Sequence, residues 1–214
     1  MRSEVLLVAS GSRAPRIQCR GGGIQARCTA PGTVYLVSAA ATPLGGDTIA
    51  IRVVVEPGAR LRLRSAAATL ALPGAGDPTS HAHWDIEVRG QLDVDLEPTV
   101  VAADARHVST VRLSLRNDGS VRFRERVQIG RCNERDGFWS GSLHADRDGR
   151  PLLRHRVELG AGSLADDSIA APRAAISEFR YPTGDCVSTD DGWTVLALAG
   201  GGTLSTWQAD RLAG

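Results

Sequence analysis

The chain of 214 residues contains no lysine, and all 25 of its basic residues are arginine. This absence excludes every site that depends on a lysine amine, such as a Walker-type phosphate loop, a Schiff base or a pyridoxal anchor. Basic and acidic residues nearly balance, with a formal net charge of +1. We therefore expect neither a nucleic-acid partner nor binding to an acidic membrane surface.

Long apolar runs are also missing, since none approaches the roughly 18 residues that span a bilayer. The apolar stretch near the start covers only residues 5–9. It is too short for the core of a secretory signal, so we expect a cytoplasmic protein. Cys19, Cys28, Cys132 and Cys186 form no C-x-x-C pair, which favours free thiols over a zinc site.

Period-two alternation predicts strands from residue 33 onward. TIAIRVVVE at residues 48–56 and RLRLRS at residues 60–65 are joined by Pro57 and Gly58, a pair typical of turns. Ahead of them stands Gly45-Gly46-Asp47, which raises three possibilities: a phosphate loop, a metal site or a turn. Without a lysine and a following helix it is no ordinary phosphate loop, so we expect a turn with positive φ that Asp47 caps.

Three further strand pairs are predicted along the chain. Residues 108–116 and 120–129 alternate around Asn-Asp-Gly at 117–119 and predict a β-hairpin. Two more strand pairs are expected, one around residues 146–149 and one around the glycines at 200–202.

The predicted fold class is all-β. We expect a single elongated body of many short antiparallel or mixed strands, β-helix-like or with stacked sheets, and at most one or two short helices. Residues 170–179 allow one short helix, although residues 176–181 also fit a strand. Residues 1–32 are expected to be poorly structured or partly disordered, and residues 33–214 to form one β domain.

The histidines offer one metal-like pattern. His81 and His83 stand two apart and share one face of a strand, a workable half-site for nickel, copper or zinc. The alternative is two solvated side chains at the entry to the strand. The other histidines, at 107, 144 and 155, are isolated in sequence and carry less signal.

Five segments in order resemble the family of the urease accessory protein UreD, also called UreH. The first is LVSAAATPLGGD at residues 36–47, which resembles a family signature ending in GGD. The others are the strand, turn and Ala-Thr stretch of residues 49–69, LDVDLEPTVVAADAR (92–106), the block from FRE at 123 to Gly141, and DGRPL (148–152). The family patterns expected at residues 70–73 and 96–98 are altered, so the chain resembles a short, divergent member.

The resemblance implies a maturation factor and not an enzyme. Family members bind UreF and, with the GTPase UreG, activate apo-urease; nickel is thought to pass through a polar tunnel in the UreD subunit. The resemblance implies nickel in transit but no tightly bound cofactor. Carboxylates suit such a path because they release nickel more readily than thiolates do. The candidate weak nickel-path residues are the acids of the family-like segments, with the histidine pair added: Asp47, Asp104, Glu125, Glu134, His81 and His83.

Two other functions stay open from the residues alone. One is a β-sandwich module that binds a ligand such as a sugar on an aromatic platform. The other is a hydrolase that uses Asp93 and Asp95, which fall on one face of a strand and form either an acid pair or merely a solvated face.

Overall fold

A computed structural model of the chain describes residues 1–11, 13–164, 166, 171–183 and 192–212. These residues form seventeen β-strands and no helix, so none of them belongs to a helix able to cross a membrane. The strands are, in chain order, β1 (Arg2–Ala9), β2 (Arg16–Arg20), β3 (Ile24–Ala30), β4 (Thr33–Ser38), β5 (Thr48–Val55), β6 (Arg60–Ser65), β7 (Thr69–Ala71), β8 (Thr79–Val88), β9 (Gln91–Asp95), β10 (Thr99–Val101), β11 (Arg106–Leu115), β12 (Ser120–Ile129), β13 (Phe138–Arg147), β14 (Arg150–Gly160), β15 (Ala174–Tyr181), β16 (Thr194–Ala197) and β17 (Thr203–Ala209).

The strands form two sheets, and the all-β prediction is confirmed. Sheet A has seven strands in the order β14-β13-β11-β8-β5-β1-β2. Sheet B has ten, with β16-β17-β15-β12-β9-β6-β4-β3 in sequence and β7 and β10 joined beside β12. From β4 to β13 the chain passes back and forth between the two sheets, with β7 and β10 as short additional strands of sheet B. Strands of successive coils therefore stack in parallel, as in a β-solenoid.

The prediction of a β-hairpin at residues 108–129 is wrong, because β11 lies in sheet A and β12 lies in sheet B. The turn between them is a corner that stacks on the coil beneath. The backbone N–H of Arg116 donates to the Val88 carbonyl at 3.0 Å, and that of Ser120 donates to the Gly90 carbonyl at 2.8 Å. Gly119 suits this corner, since a Cβ there would lie 2.4 Å from the Val88 oxygen. Alternation predicted both strands but not their partners.

Two other strand pairs are confirmed. β13 pairs with β14 across the turn after Arg147, and β16 pairs with β17 across the glycines at 200–202. The segment that allowed a helix or a strand forms β15, while its residue 170 lies outside the described residues.

The segment before residue 33 differs from the expected unstructured one, because it contains β1, β2 and β3. β1 lies inside sheet A, between β5 and β2. Its Val5, Leu7 and Ala9 are each at most 2% exposed. The alternation of apolar and polar residues in β1 is as regular as in the later strands. This alternation explains why the segment is structured.

The free-thiol prediction is confirmed for three cysteines. Cys19, Cys28 and Cys132 form no disulfide, and Cys186 lies outside the described residues.

The main core is formed by the inward side chains of the two facing sheets. Leu7 and Val53 of sheet A, and Leu61 and Phe179 of sheet B, are at most 1% exposed. A second, smaller cluster includes Val101, Ile129, Trp139 and Leu159. Burying the large apolar side chains of both sheets supplies the dominant favourable term in folding.

Candidate functional site

A cavity of about 210 Å³ lies where the inward side chains of sheet A become small. Ile49, Ala82, Ser109 and Gly141 stand at matched positions of β5, β8, β11 and β13. Along this row a large apolar side chain gives way to a methyl group and a hydroxyl, which line the cavity, while the Trp139 ring covers Gly141. Most of the cavity wall is apolar, and a few polar side chains are set into it.

The carboxyl group of Glu125 is an ionisable group in the wall of the cavity. Glu125 lies on the inward face of β12, and its accessible surface lines the cavity. The Ser109 hydroxyl donates a hydrogen bond to its Oε1 at 2.9 Å. Burial raises the pKa of Glu125 to about 7, against the opposing effect of this hydrogen bond. The group therefore exchanges between acid and carboxylate near neutral pH.

Glu125 also lines a second, smaller cavity of about 10 Å³. His155 and Ser177 belong to the walls of this second cavity, and His155 Nε2 lies 3.3 Å from Ser177 Oγ. Glu125 thus stands between the two cavities, and polar side chains continue on both sides of it. Glu125 and Phe123 are the two residues that line both cavities.

Sequence reasoning missed one polar pair of the interior. His107 is 4% exposed, and its Nδ1 lies 2.9 Å from the Oγ of Ser80 on the neighbouring strand. Burial lowers the pKa of His107 to about 4, so its ring is neutral at neutral pH. A signal was present, because His107 stands in phase with Ser109 and Val111 on the inward face of β11.

Comparison with known proteins decides the family. The sequence model described as UreD urease accessory protein matches residues 24–182. Urease accessory protein UreD 1 of Saccharopolyspora erythraea is 36% identical over 190 residues, which cover 86% of this chain and 74% of the relative. The UreD of Frankia alni is 42% identical over 208 residues, covering 78% of this chain and 68% of the relative. The chain belongs to the UreD urease accessory protein family.

The resemblance inferred from the sequence is thereby confirmed. The UreD match begins at Ile24, the first residue of β3, and ends one residue after β15. Both cavities and Glu125 therefore lie within the part of the chain that matches UreD.

Asp47 of the UreD-like GGD segment caps the turn before β5. Its Oδ2 accepts hydrogen bonds from the Thr42 hydroxyl and the Leu44 N–H, both at 2.9 Å, and its Oδ1 lies 2.5 Å from the amino group of Met1. Burial acts to raise the pKa of Asp47, but these three donors outweigh it and lower the pKa. The turn itself is as predicted, with Gly46 at a φ of 83°.

The other two acids singled out by the UreD resemblance lie outside the cavity. Asp104 is an exposed turn residue with a φ of 61°. Glu134 accepts hydrogen bonds from the backbone N–H of Ala103 at 3.0 Å and of Arg131 at 3.1 Å. The Arg131 guanidinium, which also contacts the Glu134 carboxylate, is the main cause that lowers the pKa of Glu134 to about 2. These bonds tie the connection between β12 and β13 to the turn after β10.

His81 and His83 project from the opposite side of sheet A, away from the cavity. They alternate along β8 with Ser80, Ala82 and Trp84, which face inward and are at most 9% exposed. Of the six candidate path residues, only Glu125 reaches the cavity between the sheets. No group of three or more His, Cys, Asp or Glu side chains is placed to hold a metal ion within the described ranges.

Asp93 and Asp95 lie on the outer face of sheet B among arginines. Asp93 contacts Arg64 at 2.6 Å and Arg122 at 3.2 Å, while Asp95 contacts Arg122 and Arg126, both at 3.1 Å. Each carboxylate is thus held by two guanidinium groups. Both carboxylates are therefore engaged in an arginine network on the outer face of sheet B.

Proposed function

We propose that this UreD-family chain is a urease maturation factor and not an enzyme. It acts in the cytoplasm as a scaffold that, together with UreF and the GTPase UreG, brings nickel to the active site of apo-urease. It holds no tight cofactor, and nickel is its cargo. The observation that carries the proposal is the position of Glu125, an ionisable carboxyl that lines two cavities of the interior.

The chemistry of this position suits a metal ion in transit. Nickel passing through a protein needs ligands that bind it and release it again, whereas a closed cage of thiolates and imidazoles would retain it. Between the two cavities the protein offers the carboxyl of Glu125, with the Ser109 hydroxyl bound to it. Serine and histidine side chains stand on either side, at Ser80 and His107 and at His155 and Ser177. Each contact is weak, and together they provide successive polar steps.

The raised pKa of Glu125 gives the passage a resting state without a buried charge. With its pKa near 7, much of the carboxyl is protonated and neutral when no ion is present. An arriving dication favours the carboxylate and displaces the proton, because metal ligands must be deprotonated. The proton returns when the ion moves on.

Two alternative functions fit the geometry less well. A binding module for a sugar-sized ligand needs a pocket of roughly 300–1,000 Å³. The interior cavity, at about 210 Å³, is smaller. The groove of about 820 Å³ on the outer face of sheet A is large enough, but Trp84, the one Trp, Tyr or Phe among its described lining residues, is 9% exposed and offers no aromatic platform. The acid pair of a hydrolase is engaged by arginines.

Replacing Glu125 by Gln tests the proposed function in a reconstituted activation mixture of apo-urease, UreF, UreG, GTP and Ni²⁺. Gln has the same shape and still accepts the Ser109 hydrogen bond, but it offers no carboxylate to the ion. We expect nickel to enter urease about tenfold more slowly, equivalent to about 1.4 kcal/mol on the barrier. The measurement is nickel per urease against time, read by atomic absorption.

Asp104→Asn is the matched control. It also replaces a carboxylate by an amide, at an exposed turn where Asn tolerates the positive φ. We expect it to transfer nickel at the wild-type rate. Unchanged transfer in Glu125→Gln would show that the path does not run past Glu125. An equal loss in Asp104→Asn would show that the loss is not specific to Glu125, and the proposal would lose its support. Urease that matures normally without this chain would refute the maturation role itself.

A further inference from the structure

The outer face of sheet A carries a pair of stacked histidine rings. His81 and His83 are two residues apart on β8, His81 partly exposed and His83 exposed. Their ring centroids are 5.9 Å apart, and the ring planes are 10° from parallel. The pair is held in place by the rigid strand, because the parallel neighbours β5 and β11 pair with β8 along its whole outer row.

We propose that His81 and His83 together bind a divalent transition-metal ion of the Ni²⁺, Cu²⁺ or Zn²⁺ class on the outer face of sheet A. Imidazole nitrogen suits these three ions. Two imidazole nitrogens that bind one ion at adjacent coordination positions, each about 2.1 Å from the ion, lie roughly 3 Å from each other. The ring centroids stand 5.9 Å apart, so the two side chains have to turn toward each other to bind one ion, and the broad ring torsion of histidine favours this adjustment.

Two positive charges act on the pair. The guanidinium groups of Arg112 and Arg2 both influence His83 electrostatically. They repel a cation, so the site binds weakly and releases its ion readily.

The site is open on its solvent side. His83 lines a groove of about 820 Å³ on the outer face of sheet A, together with Glu4 and Asp85. Both of these acids contact arginines, Glu4 with Arg2 at 2.9 Å and Asp85 with Arg52 at 2.5 Å. Water therefore completes the coordination of the ion, as in sites that exchange ligands and unlike closed structural sites.

This inference goes beyond the proposed function and does not depend on it. Alternation along β8 puts the histidine pair outside the sheet, whereas Glu125 lies between the sheets. Binding of an ion at the pair and passage of nickel past Glu125 are thus separate properties with separate tests.

The test is calorimetric titration of the full chain with NiCl₂ near neutral pH. The chain carries a solubility tag without polyhistidine. We expect His81→Ala and His83→Ala each to weaken nickel binding about tenfold, or about 1.4 kcal/mol. The double variant should lose much less binding free energy than the sum of the losses in the two single variants. Either replacement alone already prevents the two imidazoles from binding one ion together. With Cu²⁺ in place of Ni²⁺, the electron paramagnetic resonance spectrum should show nitrogen coupling that both single variants reduce.

Two further variants make the result specific. His144→Ala removes an exposed histidine of the same sheet, on β13, and should leave nickel binding unchanged. Arg112→Gln should strengthen binding, because it removes a repelling charge near His83. The proposal is overturned if His81→Ala and His83→Ala bind nickel as the wild type does, or if His144→Ala loses as much as they do. Matching thermal unfolding curves for all variants would show that folding is not the cause.

Discussion

Replacing Glu125 by Gln is expected to stabilise the folded chain at pH 8 by on the order of 3 kcal/mol, and to change its stability little at pH 4. Glu125 lies between the sheets and has one hydrogen-bond partner among the described residues, Ser109. Its neighbours Arg124 and Arg126 contact Glu178 and Asp95 on the other face of sheet B. In the part of the chain that the structure describes, no opposite charge therefore compensates the buried carboxylate, and burial raises its pKa to about 7.

The sign of this effect follows from proton linkage. In the unfolded chain Glu125 has an ordinary pKa of about 4.3, whereas in the folded chain its pKa is about 7. Between these values the folded state binds more protons, so the free energy of unfolding falls as the pH rises through this window. Above it the full cost of the buried charge remains. The amide of Gln is neutral at every pH and avoids this cost.

Urea denaturation of wild type and Glu125→Gln across this pH range checks the prediction. His107 titrates in the opposite sense: its pKa is lowered to about 4, so its contribution to stability is lost as the pH falls from its unfolded value toward 4. Because His107 is present in both proteins, the difference between them isolates Glu125. A difference independent of pH, or a variant less stable than wild type at pH 8, would contradict the raised pKa.

Together with slower nickel transfer, this result would separate function from stability. A side chain kept only for folding destabilises the protein when it is replaced. Glu125→Gln is expected to do the opposite while it slows nickel entry. Sites that cost stability and support activity are a common trade-off in proteins.

Gly45→Ala is expected to destabilise the chain by about 3 kcal/mol or more, at the upper end of overpacking. A Cβ at Gly45 would lie 1.7 Å from the Asp77 carbonyl oxygen and 2.5 Å from the Gly74 backbone nitrogen. Both atoms belong to backbone, so no side chain can rotate away. The loop before β8 would have to move, and with it the hydrogen bond from the Gly46 N–H to the Thr79 carbonyl at 2.7 Å.

Gly76→Ala, in that same loop, is the matched control. No atom lies within 4 Å of a Cβ at Gly76, and its φ is not in the left-handed region. We expect its unfolding free energy to stay within about 1 kcal/mol of the wild type. Thermal and urea unfolding measure both variants. Equal stability of the two would mean that the loop yields to Gly45→Ala without cost.

Much of the local structure was predictable because it depends on neighbours in the chain. Period-two alternation identified most strands, and turn residues identified the hairpin of β13 and β14. The same reasoning failed for β11 and β12, whose partners belong to other coils. A turn sequence constrains the backbone over a few residues, but it does not decide whether the chain folds back in one sheet or crosses to another.

The residue order alone sufficed for the β class, for UreD family membership and for excluding lysine chemistry, since all three depend on composition, periodicity and short motifs. It also put Glu125 among six candidates. Only the packed structure distinguishes Glu125 from the other five candidates. Asp47 and Glu134 are bonded at turns, Asp104 is exposed, and the histidine pair faces outward. Glu125 differs because the small side chains of Ala82 and Ser109 lie in register and line a cavity beside it. That register brings together residues that lie far apart in the chain. The sequence therefore shows that residue 125 is a glutamate, but only the packing of the coils decides that its carboxyl is buried.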